Sequence, residues 1–258
     1  MTGLSPFTAF RSFCRLPALR VFAPLFEHRC AACAAPVPAE THFCERLCAT
    51  CLDKLARRQG GFCTSCGNMT ADASAAPSLC SSCLMKQHAG KTSWDAFFFF
   101  ASYEGFLRDL ILRCKAAGEL PLALPLGLLL ASHPAITGPY DAIIPIPLHQ
   151  AKLRKRGFNQ TLEMAKPLAT RLDAPIRPDL LVRAVRTRTQ SGLSLEKRKQ
   201  NMRGAFAANN AVGGLRVLLV DDIATTCATL EEAARSLHKK GAASIDVAVL
   251  ARTPERAP

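Results

Sequence analysis

The chain has 258 residues, 49% hydrophobic and 21% charged, with a formal net charge of +13. That length holds one sizeable α/β domain plus something small, and that apolar content excludes a disordered tail. The most apolar stretch, Leu120 to Ser132, is too short to span a bilayer and contains Pro121 and Pro125, so no transmembrane helix is expected.

The first 26 residues carry Arg11, Arg15 and Arg20 and no acid, but lack a long apolar run followed by a small-residue cleavage site. Residues 1–29 are expected to be an amphipathic or poorly ordered leader, and the cytoplasm is the expected compartment. Residues 30–90 form the second unit. Eight of the twelve cysteines make four C-x-x-C pairs: Cys30/Cys33, Cys48/Cys51, Cys63/Cys66 and Cys80/Cys83. Two sulfurs three residues apart come from one tight knuckle, and two knuckles complete a tetrahedral thiolate site for Zn2+. This segment is poor in large apolar side chains, so metal binding supplies the stability its core lacks. Eight ligands suggest two zinc sites, sequential or interleaved, with one site as the alternative. Four sulfurs close the coordination shell, which makes such zinc structural. Cys14, Cys44, Cys114 and Cys227 stand outside the pattern, Cys114 at an apolar helical position; His28, His42 and His88 read as surface residues.

Residues 91–258 alternate strand and helix patterns, which argues an α/β domain. "SWDAFFFFASY" is an aromatic strand, "EGFLRDLILRCKAAG" an amphipathic helix ending at Gly118, and "DAIIPIPLHQ" a buried strand broken by Pro145 and Pro147. "KLRKRGFNQTLEMAKPLATRL" puts four positive charges ahead of Gly157, with Asn159 placed to cap the next helix and Pro167 placed to kink it. From Lys152 to Arg203 there are 14 Lys or Arg against four acids, a surface suited to pyrophosphate, nucleic acid or anionic lipid. "RAVRTRTQSGLSLEKRKQNMRGAF" is a long polar segment, and one rich in arginine suits a lid closing on an anion.

The last stretch, "VLLVDDIATTCATLEEAARSLHKKG", reads as strand, loop and helix, and "SIDVAVLA" completes a βαβ unit. Ligands of open α/β sheets bind beyond the carboxyl ends of the strands, where this loop lies. Its N–H groups and threonine hydroxyls suit a phosphate, whereas Asp221 and Asp222 would repel one; a ribose phosphate reconciles the two, the carboxylates accepting from the sugar diol. Neither a G-x-x-x-x-G-K-[ST] P-loop nor a G-x-G-x-x-G fingerprint is present.

Together the four C-x-x-C pairs, "PIPLH", "RGFNQ", "RTQSGLSLEKRKQNMRGAF" and "VLLVDDIATTCATL" resemble the ComF family, competence-associated proteins that join a cysteine-knuckle head to a type I phosphoribosyltransferase domain. The resemblance covers the chain from about Cys30 onward. It implies a parallel sheet flanked by helices, a small zinc-ribbon-like head, and a site for 5-phosphoribosyl 1-pyrophosphate (PRPP) with Mg2+. By that resemblance Asp221 and Asp222 hold the ribose hydroxyls and the loop Ala224, Thr225, Thr226, Cys227, Ala228 and Thr229 holds the 5′-phosphate. Pro147, Leu148 and His149, with Lys152 and Arg156, approach the pyrophosphate, and a hood bearing Arg186, Gln190, Arg198 and Asn201 closes over it. Two positions depart from the family pattern: Cys227 stands where the loop usually has glycine, and Lys152 where arginine is more usual. The expected activity is phosphoribosyl transfer to a nitrogen acceptor; the alternative is a catalytically weak protein that binds single-stranded DNA or works with DNA-uptake machinery.

Overall fold

The computed structural model describes residues 28–37, 47–184 and 202–254. The leader up to residue 27, Cys44, His42 and the hood residues Arg186, Gln190, Arg198 and Asn201 lie outside the described residues.

In chain order the head contains β1 (His28–Arg29), β2 (Pro36–Val37), α1 (Ala49–Leu52) and α2 (Ser81–His88). Its regular elements are short because the cysteine knuckles, not a large apolar core, dictate its path. The remainder contains β3 (Ala96–Ser102), α3 (Gly105–Leu112), α4 (Ala123–Ala131), β4 (Ala142–Pro145), α5 (Gln150–Arg156), α6 (Gln160–Leu172), β5 (Leu181–Arg183), β6 (Phe206–Ala208), β7 (Arg216–Ala224), α7 (Ala228–His238) and β8 (Ser244–Arg252).

Four strands form a parallel sheet in the order β3-β8-β7-β4, while β5 and β6 pair antiparallel as a separate ribbon. Both faces of the parallel sheet are covered, so its strands read as continuous apolar runs. Strand alternation sends Leu218 and Val220 of β7 to one face, packed with Leu110, Leu126, Leu129 and Met164, and Val217 and Leu219 to the other, packed with Leu230, Ala233 and Leu237 of α7. Gly127 of α4 lies so close to α6 that a Cβ there would stand 2.6 Å from the Met164 carbonyl oxygen, so glycine sets the approach that brings α6 under the sheet.

Three elements differ from the sequence expectation. The strand at Val217 does not finish with the two acids: β7 runs to Ala224, its pairing with β8 extending to Ala224↔Arg252, which places both aspartates within the strand. The helix that begins at Gly105 changes to a π winding over Arg113–Ala117 before Gly118 ends it in the left-handed conformation. The strand of "DAIIPIPLHQ" covers only Ala142–Pro145, and the basic "KLRKR" run is itself the helix α5, closed by Gly157 at φ 84°. As expected, Asn159 caps α6 by accepting from the Thr161 N–H; α6 continues through Pro167 to Leu172.

Candidate functional site

The cysteines collect into two quartets, Cys30/Cys33/Cys48/Cys51 and Cys63/Cys66/Cys80/Cys83, in each of which the sulfurs lie within 4.8 Å of one another. The pairing is therefore sequential rather than interleaved. Four thiolates cannot crowd together without a cation: a hydrogen bond from Cys66 draws Cys63 down to about 4, while Cys66, giving that hydrogen bond beside a thiolate, is pushed far up. Backbone N–H groups of Cys48 and Cys80 donate to Cys30 and Cys63 at 3.3 and 3.4 Å, the second-layer pattern that suits a thiolate–metal centre. All-sulfur donor sets in tetrahedral number fit Zn2+ closed to water. Outside the quartets, Cys114 is buried in the core with Leu107, Leu110 and Ile111.

The second centre is on β7. Asp221 and Asp222 are 9% and 4% exposed, and as strand neighbours they face opposite sides of the sheet. Asp222 accepts from Lys115 Nζ at 3.0 Å and from Gln160 Nε2 at 2.7 Å. Burial opposes its ionisation, but the Lys115 ammonium and these hydrogen bonds outweigh burial and hold its carboxyl below the ordinary range. Asp221 accepts the Asp222 backbone N–H at 2.8 Å. Burial first, then the Asp222 charge, pushes Asp221 up to about 8. Lys115 comes from the π-wound turn, and such windings recur at functional sites because they re-aim one side chain.

Cations surround the pair. Burial, followed by the charges of Arg183, Lys115 and Arg156, holds the Lys152 ammonium below its ordinary range, opposed by Asp222. Arg156 donates to the Gln160 Oε1 and so orients the amide that serves Asp222. Arg183 on β5 is likewise held down by burial, with Asp221 opposing. His149 caps α5, its Nδ1 accepting from the Ala151 N–H at 3.2 Å; Pro147 and Leu148 lie in the turn between β4 and that cap. A group of mutually repelling, partly desolvated cations gains from a polyanion.

The loop from Ala224 to Thr229 leads into α7, with Cys227 at its N-cap in the left-handed conformation, φ 59° and ψ 2°. Its side chain turns away from solvent and lies 3.9 Å from the Cys66 carbonyl oxygen of the head. Thr226 lines a polar cavity of about 230 Å³ between loop and head, together with Ser82, Ser93, Lys86 and Trp94, and its hydroxyl is buried with no partner among the described residues. The loop's carbonyls are held from behind: Arg252 Nη1 donates to Ala224 O at 3.3 Å and to Thr225 O.

Thus Asp221, Asp222, Lys152 and Arg156 come together, with the 224–229 loop following directly on β7. Lys115, Gln160, Arg183 and Arg252 were not singled out in the sequence. The interval preceding Gly118 carried one signal, a Lys in the last turn of an apolar helix, where a basic residue reads as ordinary helix capping.

A four-stranded parallel sheet, a carboxylate pair near the carboxyl end of one strand and a loop at a helix N-terminus define the type I phosphoribosyltransferase fold, here carrying a cysteine-rich head. The profile of the Phosphoribosyl transferase domain matches residues 159–258. Competence protein F of Haemophilus influenzae is 31% identical over 88% of this chain and 98% of its own length. DNA utilization protein YhgH of Salmonella typhimurium is 32% identical over 80% of this chain and 90% of its own, and competence protein ComFC of Bacillus subtilis 27% over 81% and 85%. The chain belongs to the ComF family. Among the described residues no helix is long and apolar enough to cross a membrane.

Proposed function

We propose that this chain binds PRPP with Mg2+ and transfers the phosphoribosyl group to a nitrogen acceptor. The observation that carries the proposal is the meeting of a buried carboxylate pair with the cations Lys115, Lys152, Arg156 and Arg183 beside a loop at a helix N-terminus. A ligand with a diol, a monophosphate and a pyrophosphate uses all three features. Both Asp222 oxygens already have partners, which favours Mg2+ arriving on the pyrophosphate over a cage of protein carboxylates.

In that reaction the acceptor nitrogen forms a bond to the anomeric carbon as its bond to the pyrophosphate oxygen breaks. The bonding pair leaves with pyrophosphate, and the acceptor sheds a proton. Asp221 and Asp222 hold the ribose hydroxyls, the ionised Asp222 matches positive charge on the sugar ring, and Lys152 and Arg156 compensate the departing anion. With Mg2+ bound to it, the pyrophosphate would gain Lewis-acid stabilisation as it leaves. Arg186, Gln190, Arg198 and Asn201 belong to the proposed hood, whose closure excludes water. We divide the chain accordingly into 1–29, whose last two residues pair with the head as β1, 30–90 and 91–258, with a cytoplasmic setting where PRPP is available.

Calorimetric titration of zinc-loaded protein with PRPP and Mg2+, beside the Asp221→Asn/Asp222→Asn variant, tests this. Heat that disappears in the variant supports the site; silence in the wild type overturns it. The relatives' names, competence and DNA utilization, and the basic run from Lys152 support a second use, binding of single-stranded DNA. Such binding would weaken steeply with salt and would survive the double aspartate substitution.

A further inference from the structure

We infer that each cysteine quartet is a buttress for one wall of the ligand site and acts through a single arginine: Arg252 positions the 224–229 loop, and Arg113 positions the turn that carries Lys115. What the walls hold rests on the ribose-phosphate proposal above; the buttressing itself does not.

Arg252 ends β8 and is 1% exposed. Its Nε donates to the Cys66 carbonyl at 2.9 Å, while Nη1 donates to Thr253 O at 2.7 Å and to the loop carbonyls of Ala224 and Thr225. One guanidinium thus ties a ligand residue of the second quartet to the start of the proposed phosphate loop. The approach is close enough to demand glycine: at Gly67, φ +67°, a Cβ would stand 2.6 Å from Phe97 and 3.3 Å from the Arg252 stem. Two further ties join the second quartet's part of the head to its surroundings, Trp94 Nε1 donating to Ser65 O at 2.6 Å and Lys86 Nζ of α2 pairing with Glu231 in the first turn of α7 at 2.8 Å.

The first quartet repeats the device on the other side. Arg113 opens the π-wound turn and donates Nη1 to Ala32 O at 2.6 Å, inside the Cys30/Cys33 knuckle, while Glu119 clamps its other edge at 2.6 and 3.0 Å. Two residues later Lys115 reaches Asp222. Apolar packing follows the same division: Val37, Leu47 and Leu55 join the core on the α3 and α4 face, and Phe62 and Met69 pack on the α7 face. A head that served only as a tethered recognition module would have no need of knuckle carbonyls bonded to two arginines, one on each side of the sheet. Each guanidinium spans several acceptors at once, which a point-like ammonium cannot do.

The test uses full-length, zinc-loaded Arg252→Lys and Arg113→Lys. Each is titrated separately with ribose 5-phosphate and with inorganic pyrophosphate plus Mg2+, and zinc content and amide hydrogen exchange are measured without ligand. Arg252→Lys is expected to weaken ribose 5-phosphate by about tenfold or more and speed exchange at 224–229, leaving pyrophosphate within about threefold. Arg113→Lys is expected to do the reverse, loosening 113–118 and weakening pyrophosphate. Equal losses for both ligands in both variants, or unchanged exchange, would overturn the inference. If wild-type protein binds neither ligand, the ribose-phosphate proposal falls while exchange still decides the buttressing. Should a variant not fold, zinc is withdrawn from the wild type by a chelator. The single tryptophan, bonded to Ser65 between two ligands, reports loss at the second quartet by its emission. Faster exchange at 224–229 must accompany that signal; a loop that stays protected after the emission changes refutes the inference.

Discussion

Asp221→Asn should make the free protein more stable while abolishing sugar binding. Asp221 is held from its ordinary 3.8 up to about 8 by burial and by Asp222, so folding keeps a proton that the unfolded chain releases. With more protons bound in the folded state, stability falls as pH rises between about 4 and about 8 and is flat above that window. At about 1.4 kcal/mol per pKa unit, the roughly three units traversed by pH 7 set a ceiling of about 4 kcal/mol. Dielectric relaxation around a buried site reduces that to about 2 kcal/mol. Asparagine keeps the oxygen that accepts from the Asp222 N–H and cannot ionise. For a chain of this size the gain corresponds to a rise of about 4–8 °C in Tm near pH 7.5. Thermal unfolding followed from pH 5 to 8 should show a falling Tm for the wild type and a flatter line for the variant. Asp222 behaves oppositely: its depressed carboxyl stabilises above the unfolded value, and that stability is lost as pH falls through the folded one, so its effect is confined to acid. A wild type whose Tm is level over this range, or an Asp221→Asn protein no more stable at pH 7.5, would refute the assignment of burial as the governing force.

Lys115→Met leaves the Asp222 carboxylate with Gln160 alone. Because the Lys115 side chain is 34% exposed, screening lowers the expected loss to about 1–3 kcal/mol. Acid denaturation of this variant should begin at higher pH as the Asp222 carboxyl rises, and pyrophosphate affinity should drop about tenfold in calorimetry. Cys227→Gly removes a side chain from the left-handed conformation, relieving about 1 kcal/mol that the lost burial of the sulfur largely offsets. Stability is expected to change little and ribose 5-phosphate to bind severalfold more tightly; unchanged affinity would mean that the sulfur, turned toward Cys66, does not narrow the phosphate site.

Local chemistry was legible in the sequence where neighbours in the chain are neighbours in space. The C-x-x-C spacing marked the eight cysteines that gather into two quartets, and the strand, loop and helix at Val217 to Gly241 marked the carboxylates near the carboxyl end of a sheet strand. Lys115 and Gln160 meet Asp222 across 107 and 62 residues, separations no periodicity reports. Arg252 follows the "SIDVAVLA" stretch, and nothing in its sequence context marks it as one of the most buried side chains. The two aspartates looked like one twin group; only the extension of β7 to Ala224 sends them to opposite faces, one neutralised by an ammonium and the other kept protonated by burial. Whether the chain was one domain with an appendage or a joint construction depended on hydrogen bonds from Arg113 and Arg252 into knuckle carbonyls, which leave no trace in composition.

The Arg58 N–H of the head donates to the Phe100 carbonyl at 2.9 Å on the side of β3 that β8 does not use. The head therefore blunts an outer strand of consecutive phenylalanines that would otherwise offer bare backbone to any passing chain. Removing residues up to about 90 to isolate the phosphoribosyltransferase-like fold would uncover that strand, and the product would self-associate. Chelation should have the same outcome in milder form, so scarcity of zinc during synthesis would be registered first as aggregation and turnover of this protein.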